Sequence, residues 1–148
     1  MMKGATRSEG VTEVMIERLT RDLKVAARVL TAQEARYLVD FYYLIQDARM
    51  RAFAQDRAMK ERGEPSNFAK WLGGNFETLE GQVKRALLQY AQASSVGKWA
   101  MRVPGVGPVL AAGLLAHIDI EQAPTVGHIW AFAGLHPEAN WEKGEKRP

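Results

Sequence analysis

Cysteine is absent from the 148 residues, which excludes disulfides and thiolate chemistry and fits a reducing compartment. No apolar run approaches the roughly 20 residues that span a bilayer, and Met1 to Gly10 is too polar for a secretory core. A cytoplasmic protein without a membrane partner is the expectation. Val, Ile and Thr never alternate with polar residues over a strand's length, so no segment reads as a strand. Histidine is scarce. His117, His128 and His136 stand 11 and 8 residues apart, so no two share a helical turn. Without cysteine beside them a zinc site is not expected. Asp119 and Glu121 could suggest a Mg²⁺ pair, but two carboxylates in a turn are ordinarily solvated.

One sign of charge is missing from a long stretch. Lys and Arg number 20 against 17 Asp and Glu, a net charge of +3. Residues 1–62 carry 12 cations against 9 anions, and residues 63–148 carry 8 against 8. Between Arg102 and Lys143 there is no Lys or Arg at all. A surface that grips phosphates ordinarily carries more cations, because neutralising phosphates releases counterions.

What is there is helical. With 47% hydrophobic and 25% charged residues the chain has the composition of a globular protein. Residues 1–12 read as a disordered lead. Thr12 is expected to cap a helix over 13–30. Thr31-Ala32-Gln33-Glu34 forms a capping box for a long helix to about Arg62. Leu38, Phe41, Tyr42, Ile45, Ala48, Ala52 and Met59 supply its apolar spacing. Asp40, Asp47, Arg49, Arg51, Asp56, Arg57 and Lys60 make its outer face. Gly63 to Ser66 ends it. A short helix over 67–72 should break at Gly73-Gly74, and another should run to about Ala93 on Phe76, Leu79, Val83, Leu87 and Tyr90. The expected architecture is all-α: a long antiparallel helical hairpin within a helical or coiled-coil region (13–94), then a compact module (95–148) with a basic tail. The apolar stripe of the long pair is covered either by the first helix or by a second copy through Tyr42, Tyr43 and Phe53.

The module opens on the most informative segment, Val103-Pro104-Gly105-Val106-Gly107-Pro108-Val109-Leu110-Ala111-Ala112-Gly113-Leu114-Leu115. Two glycines flank one apolar residue, and an apolar helix follows. Both glycines can adopt φ > 0 and admit another backbone closely. Val106 can point inward and pin the turn. Pro104 discourages the helix before it, over 96–102, from continuing. Pro108 suits the first turn of the helix after it, over 109–118. The amides of Gly105, Gly107, Val109 and Leu110 would then face outward at a helix N-terminus, a site for an anion such as phosphate. Without that use, the same turn is a packing joint between two helices.

This segment resembles a helix-hairpin-helix motif, which grips one nucleic-acid strand through its phosphates without reading sequence. The resemblance continues through Ala116-His117-Ile118-Asp119-Ile120-Glu121 and through Ala123 to Pro137, including Trp130-Ala131-Phe132-Ala133-Gly134-Leu135-His136-Pro137. Residues 99–147 are similar to the C-terminal domain of insertion-sequence transposases that pair a RuvC-like nuclease domain with a transposase domain. In that family a coiled coil precedes the hairpin, and hairpins of this kind hold K⁺ or Na⁺ on backbone carbonyls. Two departures bear on activity. Residues 1–95 offer no strands bearing a Mg²⁺-binding acidic set, and no serine follows Ser95 to stand as the family's nucleophile. The chain closes on Gly144-Glu145-Lys146-Arg147-Pro148, which reads as a fragment or as a reduced, phage-type relative of a mobile-element protein.

The resemblance therefore implies a non-catalytic, largely sequence-independent DNA binder with no catalytic residue and no cofactor beyond a monovalent cation. The site residues expected are Gly105, Val106, Gly107 and Val109 at the hairpin, with Lys98, Arg102, Lys143, Lys146 and Arg147 supplying attraction. Trp99, Trp130 and Phe132 are expected in the core, and His117 is expected to cap carbonyls at its helix end. Trp141 either stacks on a base or folds back. Thr125 to His128 is either a second, degenerate hairpin or a plain N-cap. The alternative class is a helical assembly or regulatory protein whose hairpin is structural and whose long helices form a homo-oligomer.

Overall fold

A computed structural model describes residues 19–135 of the chain. The expected lead over 1–12, residues 13–18, and the tail bearing His136, Trp141, Lys143, Lys146 and Arg147 lie outside the described residues. Six α-helices and no strand occur among those described: α1 (Arg21–Ala26), α2 (Ala32–Glu61), α3 (Asn67–Ala93), α4 (Ser95–Ala100), α5 (Pro108–His117) and α6 (Val126–Phe132), with a 3₁₀ turn (Ala27–Val29) after α1. The fold is all-α.

Side-chain caps set most of the boundaries. The Thr31 hydroxyl accepts the Glu34 amide at 3.2 Å, and the Glu34 carboxylate accepts the Thr31 amide at 2.8 Å. That closes the capping box. The carboxylate also accepts from the Thr31 hydroxyl at 2.9 Å, and the Thr31 amide foremost, then this hydroxyl, hold the Glu34 carboxyl below the usual carboxylate range. Ser66 caps α3 and Ser94 caps α4 in the same way. Of the helix expected over 13–30, residues 13–18 lie outside the described residues, and Leu19 and Thr20 are not helical. Thr20 caps α1, and the Leu19 amide donates to the Gln82 side chain at 2.9 Å instead of to a helical carbonyl.

α3 returns along α2, so that Phe53 meets Gly73 and Arg49 meets Glu80. The break expected at Gly73-Gly74 does not occur. α3 is continuous, and Gly73 is buried where a larger residue would collide with the Phe53 ring. The shared core takes Val39, Tyr42 and Ile45 from α2, Val83 and Leu87 from α3, and Val109 and Ala112 from α5. Thus α5 lies on the α2–α3 pair and completes its core. Arg36 of α2 ties the junction, its Nε donating to the Ala116 carbonyl at 2.7 Å.

Two charges assigned to the outer face of α2 are turned inward. Asp56 is buried and pairs with Lys60 one turn on. Arg49 is half-buried and donates to Glu80, which also accepts from the Tyr42 hydroxyl (3.0 Å) and the Gln46 amide (3.3 Å). Burial pushes the Glu80 carboxyl up, but the Arg49, Tyr42 and Gln46 bonds outweigh it and hold the group below the usual carboxylate range. Tyr42 is displaced upward, chiefly by burial and then by its bond to Glu80.

Candidate nucleic-acid interface

α4, the turn over residues 101–107 and α5 form the candidate site. Its base is a small cluster of Ala91, Ala100 and Ala111, with Met101, Val106 and Leu115 packed on it. Small residues let α4 approach closely. Gly97 is buried against the Ala91 carbonyl and the Leu115 side chain, where a Cβ could not fit. The turn then tightens through bonds from the amides of Arg102 to Trp99 O (2.9 Å), Val103 to Ala100 O (3.0 Å) and Val106 to Val103 O (3.0 Å).

The two glycines differ in their geometry. Gly105 has φ +88°, the left-handed region where a side chain is strained. Gly107 has φ −88° and ψ 179°, extended backbone open to any residue, so the positive φ expected there is not required. Its place is the N-cap of α5, where it brings no side chain to cap the first amides of the helix. Pro108 occupies the first helical turn, as its missing N–H favours.

Amide accounting defines what the turn can bind. The first α5 amide to find a helical carbonyl is that of Ala111, which donates to Gly107 O at 2.9 Å. Val109 and Leu110 precede it in the first turn, where amides have no intrahelical partner. The amides of Gly105 and Gly107 likewise have no acceptor among the described residues. Val106 is different. Its amide is spent on Val103 and its side chain faces the core, so it pins the turn and offers no donor. The Trp99, Ala100 and Val103 carbonyls each accept one amide of the turn.

Lys98 and Arg102 are exposed on the α4 side of the turn, and neither joins an ion pair among the described residues. Arg102, Gly105 and Gly107 lie in the turn itself, Lys98 stands on α4 before it, and Val109, in the first turn of α5, is buried.

Other expectations are corrected. Trp99, Trp130 and Phe132 are not core residues: they are 65%, 55% and 70% exposed. α4 and α6 are short and leave these aromatics largely exposed. His117 caps no carbonyl; Arg36 holds the carbonyl of Ala116 at that end of α5. Thr125 is a plain N-cap, its hydroxyl accepting the His128 amide. Asp119 orders its own turn, accepting the Glu121 amide and the Gln122 side chain at 3.0 Å each.

An apolar groove, missed by the sequence reading, opens beside the turn. It has a volume of about 340 Å³ and is walled by Val39 and Tyr43 of α2, Leu110 and Leu114 of α5, and Ile129 and Phe132 of α6. Leu110 and Leu114 stand one turn apart on α5, a spacing that marks a shared face without saying what covers it.

Residues 97–142 match the transposase IS116/IS110/IS902 family model. The match covers about a third of the chain and contains the turn, α5, α6 and the start of the tail. The resemblance read from the hairpin and the Ala-Gly-Leu segment is shown for those residues. No curated protein and no solved structure matches the chain.

Proposed function

We propose that this chain is a transposase-related, non-catalytic DNA-binding protein that holds a backbone phosphate on the turn between α4 and α5. The observation that carries the reading is the set of unspent amides at Gly105, Gly107, Val109 and Leu110 within the family-matched segment, of which Gly105 and Leu110 are exposed, Gly107 half-exposed and Val109 buried. An anion there would be met by several N–H donors and by the positive end of a ten-residue helix. Lys98 and Arg102 supply attraction beside it, and Lys143, Lys146 and Arg147 of the tail add to it. Contacts of this kind go to phosphates and carry no base sequence. Among the described residues no three acidic or histidine side chains converge as metal ligands, and the chain has no serine beyond Ser95.

The test is fluorescence anisotropy with labelled duplex, single-stranded and four-way-junction DNA across a salt series. Binding should weaken steeply with salt, and Gly107→Glu should abolish it while leaving the far-UV circular dichroism and melt intact. The fold should tolerate that change, because Gly107 is extended and a Cβ there meets nothing within 4 Å. No binding at low salt, or binding indifferent to Gly107→Glu, would overturn the reading.

A second reading, a helical assembly protein with a purely structural turn, is favoured by the exposed apolar residues Tyr43, Leu110, Leu114 and Phe132 around one groove. It requires a stable oligomer in sedimentation equilibrium and no DNA affinity at about 100 mM salt, where phosphate contacts still register.

A further inference from the structure

A second cationic feature lies where α4 meets the 3₁₀ turn after α1 and the end of α3. Arg28, in the 3₁₀ turn after α1, and Lys98, on α4, face one open cleft of about 600 Å³, completed by Gln89, Gln92, Ala93 and Met101. The two cations come from parts of the chain that the sequence reading placed in different regions. No carboxylate lines the cleft, and neither cation joins an ion pair among the described residues. The Arg28 Nε donates to the Gln89 side-chain oxygen at 3.1 Å. That bond orients the guanidinium and leaves its terminal nitrogens free to donate, the fork geometry that suits a phosphate. Gln92 adds a neutral donor of the kind that also contacts phosphate oxygens. An anion in the cleft would meet both charges.

We infer that the Arg28–Lys98 cleft is a second backbone-phosphate site for the nucleic-acid strand held at the α4–α5 turn. This rests on the DNA-binding reading and extends it to a residue outside the family-matched segment. Continuity supports one strand over two ligands. Met101 lines the cleft and Gly105 lies four residues on, so their Cα atoms are at most about 15 Å apart. At about 3.4 Å of rise per nucleotide, that distance lies within some four or five steps along one strand. The cleft also bears on the charge problem: Arg28 brings a cation from the N-terminal side of the chain to a segment that has none between Arg102 and Lys143.

The test compares wild type, Arg28→Gln, Lys98→Gln and Gly107→Glu, each checked by circular dichroism and thermal melt, in DNA anisotropy over a salt series. The salt slope of Arg28→Gln should fall by about one, with affinity reduced several-fold alike for unrelated sequences. Lys98→Gln should do the same but, because Lys98 also serves the turn, it is read only beside Arg28→Gln. Arg28→Lys, which keeps the charge and loses the guanidinium fork, serves if Arg28→Gln does not fold, and should weaken binding with an unchanged slope. Gln89→Leu, which keeps both charges and frees the guanidinium, should weaken binding with little change of slope. Wild-type slope and affinity in both cation variants, alongside loss of binding in Gly107→Glu, would overturn the cleft and spare the turn. Loss in the cation variants with normal binding in Gly107→Glu would spare the cleft and overturn the turn. A cleft that takes inorganic phosphate in titration while the cation variants bind DNA normally is a small-anion site, and that result also overturns the inference.

Discussion

Phe53 fills the space that a side chain at residue 73 would need. A Cβ on Gly73 would lie 2.6 Å from Cε1 of the Phe53 ring, whereas a Cβ on the next residue, Gly74, would meet nothing within 4 Å. Adjacent glycines in one helix therefore do opposite things. Gly73 lets α2 and α3 close together, and Gly74 only weakens α3. Gly73→Ala should destabilise the fold by about 1–3 kcal/mol through overpacking, less the fraction of a kcal/mol that alanine returns to the helix. Gly74→Ala should stabilise by about 0.5–1 kcal/mol. Urea melts of the two variants check this, and shifts of the same sign would show that Phe53 does not limit the approach of the helices.

The α4–α5 turn allows a sharper separation of stability from binding. Gly107 is the N-cap of α5 in extended backbone, a position serine fills well. In Gly107→Ser the new hydroxyl would accept the Val109 or Leu110 amide, the donors assigned to a phosphate. Stability should stay level or rise by a few tenths of a kcal/mol, while DNA affinity falls. Gly105→Ala should behave differently. At φ +88° an added Cβ costs about 1–2 kcal/mol, although space is open around it. Paired melts and anisotropy check both. A Gly107→Ser variant that binds DNA as well as wild type would remove those amides from the phosphate site.

Features governed by local chemistry were legible in the sequence. Thr31 with Glu34, Ser66, Thr125 and Pro108 each act on amides within their own turn, and each lies where its residue type placed it. Features governed by the partner across an interface were not. Gly73-Gly74 reads as a helix break because glycine disfavours helix, yet Phe53, 20 positions away, makes one of them a packing requirement. Asp56 and Arg49 read as surface charges because their type is usually solvated, but Lys60 holds Asp56 in a buried site and Glu80 holds Arg49 in a half-buried one. Ala35 and Val39 are buried core residues of α2 that the apolar spacing passed over. Trp99 and Phe132 read as core because large aromatics usually are. Short helices have few faces to bury, and nothing in residue type says which face that is. At the candidate site the glycine turn was legible and the Arg28–Lys98 cleft was not, since only the fold brings residue 28 to residue 98.

The Glu80 network makes stability depend on acid in a defined direction. Glu80 and Arg49 have side chains only 12% and 26% exposed, and Glu80 also accepts from Tyr42 and Gln46. Its folded carboxyl titrates below the ordinary value, so the ionised form is the one the fold prefers. The stabilisation is therefore complete above the unfolded pKa, about 4.3 for glutamate, and is lost as pH falls through the lower folded value. Glu80→Gln removes the charge and keeps the shape. At pH 7 it should cost about 1–3 kcal/mol, because Arg49 is left half-buried without its carboxylate. On acidification the wild type loses the same interaction by protonation and the variant has nothing further to lose there. Melting temperatures of the two proteins should therefore differ at pH 7 and converge as pH falls below about 4. A gap that stays constant down to pH 3 would mean that the Arg49–Glu80 pair contributes equally in both protonation states, contrary to its geometry.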